Sequence, residues 1–215
     1  MSWPFNRLNL ALLAALVCLT IAGFWLLPPD RQLPIHWNWR GVPDVWWPRN
    51  HALLITPLLA GAIAIIFWVV ERAGIEAIRR GGGRRYTLVV PCVFAALLAV
   101  QTIIVLEGLG RSVAPIRAIT LVIALVLIAI GNVLPKSVPS GQGYGWPKSL
   151  GLLRERRVQK LMGGLMMVAG LVLLIAGLLD LPPPLLVTCT LLGVFVPIVA
   201  GIAYAMLRPA GTGNE

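Results

Sequence analysis

The chain has 215 residues, of which 58% are hydrophobic and only 12% charged, and its formal net charge is +10. Soluble domains carry about 25% charged residues, and the apolar residues here form continuous runs rather than alternating ones, which excludes a β-barrel and a soluble globule. The basic residues lie between those runs instead of forming one stripe, so they point to membrane orientation and lipid headgroups, with no nucleic-acid partner expected.

Six spans follow in chain order, all within one all-α polytopic membrane domain, residues 1–215. Leu8–Leu27 is the first. Its length and the absence of a small-x-small site before Pro28 make it a retained anchor rather than a signal peptide. Residues 28–51 form a polar-aromatic connection. Ala52–Val70 is the second span, with Pro57 in its first turns. Residues 71–86, with GlyGlyGly at 81–83 between Arg79, Arg80, Arg84 and Arg85, read as a flexible basic loop. A phosphate cradle would need a Lys-Ser/Thr pair that is missing, so no cofactor is expected. Thr87–Leu106 is the third span, and its one strongly polar residue, Gln101, should bond a neighbouring helix. Val113–Gly131 is the fourth, with Arg117 one turn inside and expected to snorkel to the headgroups. Residues 132–160 form a second polar connection, where Ser149 is a candidate helix cap. Leu161–Leu179 and Leu185–Leu207 complete the set, joined by LeuProProPro at 181–184, with Pro197 as an expected kink. Cys18, Cys92 and Cys189 all lie in spans and read as small buried hydrophobes.

Counting Lys and Arg orients the chain. Thirteen of the 18 fall at the two termini and on the second and fourth connections, and five on the first, third and fifth. Positive residues stay in the cytoplasm. Both termini are therefore expected inside, and the 28–51 segment outside.

That segment concentrates the unusual chemistry. It holds both histidines, His36 and His51, four of the eight tryptophans, and Asp30 and Asp44, and six of its residues are Pro or Gly. Proline forbids a continuing helix, and so many aromatics are foreign to disorder. An ordered cap, residues 28–51, is expected. Spacings of eight and seven among His36, Asp44 and His51 do not match a metal-ligand pattern. The expected role of His36 and Asp44 is to hydrogen-bond within the cap, while Asn38 and Gly41 suit a turn. A hydrolase is unsupported, since the outer connections offer only Ser112 as nucleophile, without an elbow motif. Trp37, Trp39, Trp46 and Trp47, with Arg40 and Arg49, have the composition of either an interfacial belt or a binding surface. No span carries Asp, Glu, Lys or His near its centre, which argues against an ion-coupled transporter.

The run LPIHWNWRGVPD resembles the Pro-x-His-Trp/Phe-Asn-x-x-Gly-x-Pro-Asp segment that follows the first span in the SdpI-like family of bacterial membrane proteins. Pro34, His36, Trp37, Asn38, Gly41, Pro43 and Asp44 match. Gly131-Asn132-Val133-Leu134-Pro135-Lys136 resembles the family's Gly-Asn-x-Leu-Pro-Lys motif after the fourth span, so the resemblance covers nearly the whole chain. After Lys136 the pattern fades: the family's arginine is Gly145 here, its Trp is Arg156 and its His is Lys160.

The resemblance implies a non-enzymatic protein of the bacterial inner membrane. Such a protein gives immunity to, or senses, a secreted antimicrobial peptide, and holds a cytoplasmic repressor at the membrane. The cap's own composition places the expected ligand contacts at His36, Trp37, Asn38, Trp39, Arg40, Asp44, Trp46, Trp47 and Arg49, and the resemblance places a cytoplasmic motif at Asn132, Pro135 and Lys136. The alternative from another class is a membrane enzyme or carrier acting on lipid-linked envelope material, with His36 and Asp44 as its polar centre.

Overall fold

The computed structural model describes residues 6–72, 76–111, 113–137 and 156–207. Among them are six helices long and apolar enough to cross a membrane: α1 (Arg7–Leu26), α2 (Arg49–Arg72), α3 (Glu76–Gly108), α4 (Pro115–Val133), α5 (Arg156–Leu178) and α6 (Pro183–Met206). The protein is a multi-pass membrane protein of the all-α class. Between α1 and α2 stands an antiparallel hairpin, β1 (Gln32–Trp37) and β2 (Pro43–Pro48).

Two three-helix groups make up the bundle. Helices α1, α2 and α3 pack together and carry β1, while α4 packs on α5 and α6, and α3 joins the groups by lying against α4. In the first group Leu27, Leu33, Ala52, Leu53, Ile104 and Val105 form a buried cluster at the hairpin end, and Leu16, Ala60, Ala64, Val90 and Phe94 form a second one below it. Lipid gives helices little hydrophobic reason to associate, so close approach at small residues and interhelical hydrogen bonds do much of the holding.

Both devices are visible. Gly163, Gly170 and Gly177 recur every seven residues along α5 and so lie on one face. A Cβ added to Gly163 would lie 2.7 Å from the Gly131 carbonyl oxygen, one on Gly170 2.8 Å from the Ala124 carbonyl oxygen, and one on Gly177 2.6 Å from Leu121. The α4–α5 seam thus brings backbone against backbone at Gly163 and Gly170, and backbone against the Leu121 side chain at Gly177. In the first group the polar device is Gln101. Its amide nitrogen donates to Thr20 Oγ1 at 3.1 Å and to the Leu53 carbonyl at 3.1 Å, and its oxygen accepts from Thr56 Oγ1 at 2.5 Å. The Leu53 carbonyl needs this donor because its helical partner would be the N–H of residue 57, which is proline. Gln101 therefore ties α3 to α1 and α2 at the point where Pro57 opens the α2 ladder. Thr120 and Thr190 link α4 to α6 in the same way, hydroxyl to hydroxyl at 3.1 Å.

Several boundaries differ from the sequence expectation. The basic 71–86 segment is not a loop throughout, since α3 is already helical from Glu76. Glycines cost about 1 kcal/mol each in a helix, but a helix nucleated by the following span propagates cheaply, and Arg79, Arg80, Arg84 and Arg85 are good helix formers. The polar connection closes at Pro48 rather than residue 51, so His51 lies in the first turn of α2. The connection is also a strand pair, not a loop alone. In the 132–160 segment, Asn132 and Val133 belong to the last turn of α4, Leu134–Ser137 form a 3-10 turn and α5 begins at Arg156. Ser112, Gly145 and Ser149 lie outside the described residues.

Candidate functional site: the hairpin and the cleft beneath its tip

The matched motif residues specify the hairpin almost one by one. Asn38 closes the turn: its side-chain oxygen accepts from the backbone N–H of Arg40 at 2.9 Å and of Val42 at 3.2 Å. Its own N–H donates to the Val42 carbonyl at 2.9 Å, and Gly41 N–H donates to the Asn38 carbonyl at 2.8 Å. Gly41 has φ of 77°, the left-handed region where a side chain is strained. Pro43 opens β2, where a missing N–H is tolerated. Leu33 and Pro34 are buried, and Leu33 packs with Leu27 against Gly108 of α3. Trp37 is half-buried against the same cluster, with its indole N–H enclosed and lacking an acceptor among the described residues.

His36 Nδ1 and Asp44 Oδ1 stand 2.6 Å apart across the strands, beside two irregularities in the register. The expected bond between them is present. Their side chains are 63% and 40% exposed, so solvent screens the pair. His36→Asn is therefore expected to lower stability by no more than about 1 kcal/mol, measured by equilibrium unfolding in detergent. A larger loss would mean that the pair holds more than the hairpin.

Arg49 turns inward. Its guanidinium donates to the Leu27 carbonyl at 2.6 Å and the Phe24 carbonyl at 3.3 Å, and lies 5.4 Å from the Phe24 ring. It caps the open carbonyl end of α1, where cations are favoured. Arg40 instead stays exposed and lies over the Trp39 ring at 4.9 Å. Three tryptophans of the hairpin stay exposed, Trp39, Trp46 and Trp47, to 56%, 51% and 41%, with Trp46 and Trp47 on opposite sides of β2 as consecutive strand residues must be.

The tip reaches across to the second helix group. A Cβ on Gly41 would lie 3.4 Å from Ile116 of α4 and 3.6 Å from Pro183 of α6. Under it is a cleft of about 250 Å³ whose walls include Arg40, Ile116, Arg117, Asp180, Pro183 and Leu186. Arg117 does not simply extend to the headgroups: it is paired with Asp180 at the α5–α6 connection. The reason is proximity, because the α4 start and the α5 end meet at this rim, and an acid there offers a better partner than water alone. Sequence reasoning missed this rim. The available signal was one arginine a turn inside the fourth span and one acid at the end of the fifth, in register only once the helices pair.

Asn132, Pro135 and Lys136 stand at the opposite end of α4 from the hairpin. Pro135 packs on Gly163, where a Cβ would come within 2.7 Å of its ring, so this run serves the α4–α5 seam. Lys160 is exposed on α5. The hairpin residues and the 132–136 run are thus two separate places, one at each end of the bundle. No family model matches the chain, and neither a curated protein nor a solved structure matches it.

Proposed function

We propose that this chain is a non-enzymatic immunity or sensor protein of the bacterial cytoplasmic membrane, of the SdpI-like type. Its hairpin faces outward and meets a secreted antimicrobial peptide or an envelope ligand. One observation carries this reading. The motif residues Asn38, Gly41 and Pro43 shape a firmly seated hairpin, which leaves Trp39, Arg40, Trp46 and Trp47 exposed on it. Tryptophan with arginine is the composition of interface hot spots, and a seated loop loses little conformational freedom on binding. The distribution of basic residues supports an outward hairpin, with both termini inside. The fading of the family pattern after Lys136 favours recognition at the hairpin over capture of a repressor at the cytoplasmic end.

Reporter fusions at Gly82, Gly141 and Pro183 should read inside, inside and outside; an outside signal at Gly82 would defeat the orientation. Cells carrying the gene should survive a secreted antimicrobial peptide from a neighbouring gene that kills cells lacking it. Equal killing of the two strains would defeat the immunity reading.

A further inference from the structure

The cleft beneath the hairpin tip adds to Arg40 of the hairpin a set of residues from the second helix group. Its apolar wall is built from Ile116, Pro183 and Leu186, at the first turns of two membrane-crossing helices. The residues that line it include two arginines, Arg40 from the hairpin and Arg117 from α4, against one acid, Asp180, which is paired with Arg117. The placement at helix ends puts the apolar wall where acyl chains begin and the rim where headgroups sit. Arg40 is exposed, with its guanidinium over the Trp39 ring at 4.9 Å. Arg117 is two-thirds buried, whereas its partner Asp180 is 98% exposed. The carboxylate therefore sits on the solvent side of the pair and can give way to a stronger anion.

We propose that this cleft binds a phosphate-bearing amphiphile, its anionic phosphate between Arg40 and Arg117 and the start of its chain against Ile116, Pro183 and Leu186. Guanidinium forks suit phosphate oxygens through paired charge-assisted hydrogen bonds. A free phosphate would use the rim alone, while a lipid would also use the wall. Asp180 acts as a resident competitor for Arg117. The inference shares Arg40 with the proposed recognition surface but does not depend on what the exposed tryptophans recognise.

The test uses the full-length protein in a neutral maltoside detergent, with thermal unfolding followed as ligand is added. Short-chain dioctanoyl phosphatidylglycerol should raise the unfolding temperature saturably, because a ligand of the native state stabilises it. Dioctanoylglycerol, which lacks the phosphate, and inorganic phosphate, which lacks the chain, should each give little. Arg40→Glu, at an exposed position, should weaken the apparent affinity at least about tenfold, as loss of a charge-assisted contact requires. Asp180→Asn should strengthen it severalfold by freeing Arg117, which a merely structural ion pair would not do. An unchanged response in Arg40→Glu, or an equal response to dioctanoylglycerol, would overturn the site. A full response to inorganic phosphate alone would overturn the amphiphile and leave only an anion rim. Weaker binding in Asp180→Asn would overturn the competitor role.

Discussion

Gln101→Leu is expected to cost about 2–4 kcal/mol of stability, the sum of three interhelical hydrogen bonds at membrane depth. The change keeps the volume and removes every polar atom. It strands the Leu53 carbonyl, which Pro57 cannot serve, and takes the partner from Thr56 and Thr20. Thr20 is the least affected, because its hydroxyl also donates to the Leu16 carbonyl at 2.9 Å. The mechanism makes a sharper demand on the double variant. Pro57→Ala restores the N–H of residue 57 and with it the helical bond to the Leu53 carbonyl. In the Gln101→Leu background it should therefore recover about 1 kcal/mol, while alone it should change little. Equilibrium unfolding in mixed micelles reads all four states of the cycle. Strict additivity would show that Gln101 does not serve the carbonyl that Pro57 frees.

The second large effect comes from two adjacent glycines with opposite surroundings. Gly163→Ala forces a Cβ to 2.7 Å from the Gly131 carbonyl oxygen and from the Pro135 ring. Backbone and a proline ring have little room to yield, so the α4–α5 seam must part, at a cost of about 1–3 kcal/mol. Gly164→Ala meets nothing within 4 Å. It should be neutral or stabilise by up to about 1 kcal/mol through helix propensity. The pair isolates packing from propensity, because both changes add the same methyl to the same helix. Equal destabilisation by the two would refute the close seam.

The six spans were legible because continuous apolar length is a direct consequence of membrane thickness. Their ends were less so. Residues 76–86 carry three consecutive glycines and four arginines, which look like a break, yet the helix runs through them. Local composition there opposed a propagation set by the neighbouring span. The hairpin was hidden by its prolines: Pro34, Pro43 and Pro48 all lie in strands and weaken the strand pattern. The turn itself was readable, since Asn38 and Gly41 carry a side-chain acceptor and a tolerated positive φ at the needed spacing. The bond between His36 and Asp44 was anticipated, but its exposure was not, because sequence spacing says nothing about which side of a strand pair meets solvent. Arg49 looked like a surface contact residue with Arg40. Only the return of α2 beside α1 shows that it caps the Leu27 and Phe24 carbonyls. The cleft rim at Arg117 and Asp180 depends on pairing between helices 63 residues apart, which no local pattern contains.

Recognition by the exposed tryptophans of the hairpin is the claim on which the functional account turns. Trp46→Ala with Trp47→Ala removes exposed rings from β2 and leaves the turn at Asn38 and Gly41, the His36–Asp44 bond and the Arg49 cap in place. Tryptophans buried by a partner contribute about 2 kcal/mol or more each. The measurement is survival under the secreted peptide, in cells producing each variant at equal membrane level. Protection should be lost in the Trp46/Trp47 double variant and kept in Lys160→Ala, at the opposite end of the bundle. Protection that survives loss of the tryptophans but fails with Lys160→Ala would contradict recognition at the hairpin and place it at the other face.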